Sequence, residues 1–242
     1  MTLFRTIVFV SALAGLVAGL GLTGMQYAGT VPLILKAEVY EGEGAAPAPH
    51  AHDAAAPAGQ AAAHTHDAAD DHDEWAPEDG LQRSVFTALA NVVTAIGFAL
   101  LLVTASELGG GLAGWRQGVF WGLAGFAVFT LAPGLGLPPE LPGMPAADLV
   151  ARQVWWIGTA LATASGLALL VFRRALAWTV LGVGLIVAPH LVGAPKPDSF
   201  DTAVPEGLLH DFVVAVAVTS LLFWVLLGGM AGYVRARLMR AA

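Results

Sequence analysis

The sequence predicts an all-α integral membrane protein of about six transmembrane helices, with both termini cytoplasmic and a histidine-rich loop on the outer side. Three observations predict it. Hydrophobic residues fill 57% of the 242 positions and charged residues only 12%, about half the ~25% of a soluble domain. The mean hydropathy is +0.70. The apolar residues gather into six long runs, and Lys and Arg fall unequally on the two sides of those runs.

A bilayer's hydrocarbon core takes roughly 20 apolar residues of helix to cross. The runs lie at 6–28, 84–106, 117–136, 153–172, 175–191 and 212–234. The first has a short basic start but is longer than a signal-peptide core, and no clean A-x-A cleavage site follows it. The fifth is the shortest and carries Pro189 near its end. Small residues four apart recur in the pairs Gly15/Gly19, Gly118/Gly122 and Gly228/Gly232. In lipid, where hydrophobicity does not drive helices together, such pairs let backbones approach closely. The same chain divides into a first helix and its following segment (1–40), an outer loop (41–83), and a five-helix bundle (84–242) with a Pro-rich outer connection at 131–152.

The charges test this arrangement independently. With the N-terminus inside, Arg5, Arg116, Arg173, Arg174, Arg235, Arg237 and Arg240 face the cytoplasm, and Lys36, Arg83, Arg152 and Lys196 lie outside. The inner segments are short, so the positive-inside rule applies to them. Among acidic residues only Glu107 falls inside. The net charge of -7 excludes a basic footprint for nucleic acid. The chain has no cysteine, which excludes disulfides, thiolate metal ligands and a Cys nucleophile.

The outer loop changes character completely. Residues 41–74 read EGEGAAPAPHAHDAAAPAGQAAAHTHDAADDHDE. They offer no large apolar residue, so the segment is expected to be disordered without a ligand. Five of the seven histidines, His50, His52, His64, His66 and His72, fall within it. They stand in His50-x-His52-Asp53, in His64-x-His66-Asp67 and in the acidic patch around His72. Neutral imidazole is the commonest side-chain metal ligand, and neighbouring carboxylates draw in a divalent cation. The tract therefore reads as a metal-binding segment, against the plainer reading of a solvated linker. Imidazole does not choose among Zn, Cu, Ni and Co.

The two remaining histidines, His190 in Ala188-Pro189-His190 and His210 beside Asp211, also fall on the outer side. A metal captured by the loop could pass from there to a fixed outer site. Between the third and fourth runs, Pro133, Pro138, Pro139, Pro142 and Pro145 are expected to forbid a continuous helix. That stretch holds Glu140 and Asp148. It reads either as a re-entrant lining offering carboxylates and carbonyls to a cation, or as an ordered surface loop anchored by Trp155 and Trp156. The candidate metal ligands are thus His50, His52, His64, His66, His72, Glu140, Asp148, His190 and His210. The helix cores contain almost no ionisable residue, so deep coordination would need mild groups such as Asn91, Thr94, Thr130, Thr159, Thr163, Ser165, Thr219 and Ser220, or backbone oxygens.

Several of these stretches have a recognisable wording. They are Thr30-Val-Pro-Leu-Ile-Leu-Lys-Ala-Glu38, Trp75-Ala-Pro-Glu-Asp-Gly80, the Leu131 to Gly143 proline-rich run, Ala146-Ala-Asp-Leu149, Ala151-Arg-Gln153 with Trp155-Trp156, and Ala188-Pro189-His190. Together they resemble the CbtA family, the predicted cobalt transporter subunits, over nearly the whole chain. The resemblance implies an inner-membrane protein that works in cobalt uptake, linked to cobalamin synthesis, with a small one-helix partner, CbtB. It carries over no catalytic residue set.

The expected function is that of a membrane subunit of a transition-metal uptake transporter, with Co2+ as the favoured cargo and Ni2+ or Zn2+ as alternatives. The second expectation is an outer-side accessory protein that delivers the ion to another channel. Besides the lipid bilayer and the CbtB-like subunit, a homo-oligomer is a further partner that the membrane setting allows. An enzyme is not expected: H-E-x-x-H and G-x-S-x-G are both absent, as is a G-x-x-x-x-G-K-[ST] phosphate loop.

Overall fold

A computed structural model describes residues 3–40 and 80–241. All regular structure among them is helical. The elements are α1 (Leu3–Ala28), α2 (Val31–Ala37), a 3₁₀ turn (Glu38–Tyr40), α3 (Leu81–Glu107), α4 (Trp115–Phe126), a π turn (Ala127–Leu131), α5 (Ala132–Gly136), α6 (Leu149–Phe172), α7 (Leu176–Val192) and α8 (Glu206–Ala241). Five helical stretches are long and apolar enough to cross a membrane: α1, α3, the continuous run Trp115–Gly136, α6 and Glu206–Arg240. Helix α7 has 17 residues, which at 1.5 Å each is about 26 Å and sits at the low edge for a span.

Packing shows that α7 nevertheless makes a full return. Trp155 near the start of α6 touches His190 near the end of α7, while Gly166 further along α6 abuts Gly182. The two helices therefore form an antiparallel hairpin, and α7 ends level with the start of α6. The other long helices also alternate in direction. Tyr27 late in α1 bonds Ser84 early in α3, and Gly15 in mid-α1 meets Ile96. Gly21 of α1 faces Leu226 of α8, and Gly29 lies close to Thr219. Six crossings result, with the described ends of the chain, at Leu3 and Ala241, on one side.

That side gathers the arginine-bearing segments. There Arg235 grips Glu107 with two nitrogens, Nε to Oε1 at 3.0 Å and Nη2 to Oε2 at 3.1 Å, and Nη1 donates to the Leu112 carbonyl at 2.9 Å. Gly111, at φ 78°, leaves the room: a Cβ there would overlap the guanidinium. The lone acid that the sequence puts on this side is thus neutralised by a bidentate partner.

Helices α4 and α8 approach at backbone contact. A Cβ on Gly118 would overlap the carbonyl oxygen of Gly228, and one on Gly232 would overlap that of Gly114. The small-residue pairs seen in the sequence are the contact itself. Around it, Val10, Ala14, Val103, Leu112, Leu227 and Ala231 form a fully buried apolar core. Large apolar side chains on the outer faces stay uncovered, among them Phe120 at 72% and Leu161 at 64% exposure, as lipid contact requires.

The third expected run, 117–136, is helical to its end, Pro133 included. Proline has no N–H to donate, and its ring crowds the carbonyl four residues back. The π turn just before it widens the coil, with the Ala132 N–H reaching five residues back to the Ala127 oxygen. The remaining prolines do fall in non-helical chain, between Gly136 and Leu149. The connection packs in order against the helices: Leu141 is buried with Ala37, Val204 and Phe212 in a small second core at the end away from Arg235. Helix α3 begins at Leu81, slightly ahead of the expected start at 84.

Candidate functional site

The functional candidates divide between the end opposite Arg235 and a cavity that descends from it. His50, His52, His64, His66 and His72 lie outside the described residues. The residues flanking that segment meet at this end, where Arg83 pairs with Glu38 at 3.5 Å.

The four other expected ligands are described, and each has a local setting. Glu140 forms an ion pair with Arg152 at 2.9 Å. Asp148 caps α6: its Oδ1 accepts the Ala151 backbone N–H at 2.8 Å, satisfying one of the donors a helix start leaves open. His190 is half-buried in the last turn of α7, edge-on to Trp155 with ring centroids 5.9 Å apart. The Trp155 Nε1 donates to the Pro189 carbonyl beside it, at 3.3 Å. His210 stands exposed in the first turns of α8, next to exposed Asp211. Among the described residues, no three His, Asp or Glu side chains converge on a point where a metal could sit.

What the fold does bring together is the set of mild polar groups. A cavity of about 370 Å³ lies among α1, α2, α3, the π turn and α8. Gln26, Thr30, Thr94, Thr130, Thr219 and Ser220 supply its polar lining. Four of these are in the mild set singled out from the sequence; Gln26 and Thr30 are not. The signal for those two was faint, because both fall at the end of an apolar run and only the turn into α2 folds them inward. Asn91 does not line the cavity but braces it, donating to Gln26 Oε1 at 2.7 Å and to Thr23 Oγ1 at 3.0 Å. Thr159 and Thr163 lie elsewhere, buried on α6 with no hydrogen-bond partner for their hydroxyls.

The cavity has direction. Its lining on α8 runs from Phe212 to Trp224, about 18 Å of helix axis, against a hydrocarbon core of about 30 Å. Below it, aromatic rings form a floor. Trp224 stacks on Phe129 at 5.6 Å and leans on Phe98 at 5.0 Å, and its Nε1 donates to Thr130 Oγ1 at 3.2 Å. Past that floor come the apolar core and the Arg235–Glu107 pair. The polar space therefore occupies one half of the membrane crossing, and packed side chains close the other.

The family model for the probable cobalt transporter subunit, CbtA, matches residues 4–236. The chain belongs to the CbtA family. That match spans every described transmembrane helix of this CbtA-family chain, the cavity and the proline-rich connection. No curated protein and no solved structure matches it. Its fold is a multi-pass membrane bundle, and its family role is in cobalt transport as one subunit among others.

Proposed function

We propose that this chain carries the cobalt path itself, capturing Co2+ with outer histidines and passing it through the α1–α3–α8 cavity toward the cytoplasm. The carrying observation is the one-sided polar cavity in a CbtA-family bundle. The positive-inside rule assigns the arginine-bearing end to the cytoplasm, which turns the cavity and the histidine tract outward. The membrane is then the bacterial-type inner membrane. His50, His52, His64, His66 and His72 raise the local ion concentration, and His190 and His210 stand at the same end as relay ligands. Glu140 and Asp148 contribute negative charge there, although Glu140 pairs with Arg152 and Asp148 caps the α6 N-terminus. The membrane potential draws the ion inward with about 4.6 kcal/mol per 100 mV for a divalent charge, twice the single-charge value. A single-helix partner of the CbtB kind completes the transporter, and cobalamin synthesis uses the cobalt.

Uptake by cells across a range of external cobalt tests this division of labour. Replacing the five tract histidines with Ala lowers uptake at scarce cobalt and spares it at excess, because mass action substitutes for local concentration. His190→Ala lowers it at every concentration, because a ligand on the path sets a step that excess ion does not bypass. Wild-type uptake by His190→Ala throughout would take His190 off the path.

One observation favours a second reading, the outer-side accessory that hands the ion to another channel. No imidazole or carboxylate lines the cavity. Flux into vesicles that hold this chain alone separates the two.

A further inference from the structure

We propose that the cavity holds the divalent cation with its inner shell of water intact, so that the protein contacts the ion through those waters. The inference rests on the transport reading above and specifies the form in which the cargo occupies the path. Fourteen residues line the cavity, and none offers a carboxylate, an imidazole or a sulfur. Stripping water from a divalent ion is very costly unless charged or strongly donating ligands replace it. Neutral hydroxyls and one amide do not replace it. They are well suited to the outer surface of an aqua ion, whose polarised O–H groups need acceptors.

The acceptors are in place. Gln26 is held by Asn91 at 2.7 Å, and Thr130 by the Trp224 indole at 3.2 Å, so neither swings freely. Each oxygen keeps a second lone pair for a water on the ion. Thr94, Thr219 and Ser220 add three more hydroxyls. Size agrees. Water takes about 30 Å³ in the liquid, so an ion with six waters needs roughly 200 Å³. The cavity's 370 Å³ takes that with room for a few more waters. Phe98, Phe129 and Trp224 close the floor beneath it.

A site of this kind reads charge and hydrated size, and is indifferent to ligand softness. The cavity itself therefore does not discriminate among Co2+, Ni2+ and Zn2+, and it should accept an exchange-inert mimic. Cobalt(III) hexammine is such a mimic: six N–H-bearing ligands point where the aqua O–H groups point, and none can be shed.

The test is radiocobalt uptake by cells carrying the complete transporter, with hexammine as competitor, for wild type, Thr94→Val/Thr219→Val and Thr94→Ser/Thr219→Ser. Hexammine should inhibit wild type competitively. The valine pair should weaken that inhibition roughly tenfold, the loss of one or two hydrogen bonds, and the serine pair should restore it. Uptake that ignores hexammine, or inhibition equal in all three, overturns the inference and leaves the transport reading standing. The second pattern would place hexammine on the acidic tract. Absence of any cobalt uptake that depends on the chain removes both.

Discussion

The indole of Trp224 lies parallel to the ring of Phe129, centroids 5.6 Å apart and planes 6° apart, although 95 positions separate them. Phe129 sits in the π turn. The stack divides the polar half of the bundle from its apolar half. Trp224 is 2% exposed, so removing its ring leaves a void as well as an opened floor. Trp224→Ala is expected to destabilise the protein by about 3–5 kcal/mol, and Trp224→Phe by clearly less. Thermal unfolding in detergent checks the order of the two; equal loss would mean that the ring fills no floor.

The α4–α8 contact makes a sharper demand. Gly118 and Gly228 each sit where a Cβ would overlap the other's carbonyl oxygen. Gly228→Leu should force the helices apart and lower folded yield in the membrane severely. Gly184→Leu, where a Cβ meets nothing within 4 Å, should not. Similar loss at both sites would mean that general helix propensity is at work, and close approach is not.

The alternating helix directions give a labelling pattern. Cysteines placed at Ala58 and Ala194 should react with an impermeant thiol reagent from outside intact cells. A cysteine at Ala113, exposed in the α3–α4 connection, should react only after permeabilisation. Labelling of Ala113→Cys from outside would invert the orientation and with it the direction of the cavity.

Much of this fold was legible because a membrane span declares itself by length and composition. Even the short α7 was marked, by the six runs and by the arginine asymmetry, which an odd number of crossings fits worse. The run through Pro133 to Gly136 was legible, but the π turn that accommodates the proline was not. A proline signals a break, and whether a π turn absorbs it depends on what packs against the wider coil, here Trp224. The site was half legible. Thr94, Thr130, Thr219 and Ser220 stood out as polar groups in dry helices, but nothing in their spacing said that three separate segments would bring them to one cavity. Nor did spacing show that Glu140 and Asp148 would find partners as near as Arg152 and the Ala151 N–H.

Metal capture by the tract should depend on pH through its histidines. Imidazole ligates only when neutral, so cobalt bound by the purified chain should fall steeply as pH drops below about 6. Replacing the five tract histidines with Ala should remove most of that pH dependence. Binding that stays constant from about pH 7.5 to 5 would mean that the carboxylates hold the ion.

The central claim is that the ion crosses through this chain. The direct measurement is cobalt entry into sealed vesicles that hold the purified chain as their only protein, under an inside-negative potential. The account predicts saturable entry that the potential accelerates and that Thr94→Val/Thr219→Val slows. Vesicles that bind cobalt on their surface yet admit none at any potential would contradict it, and would make the chain a capture protein for a channel elsewhere.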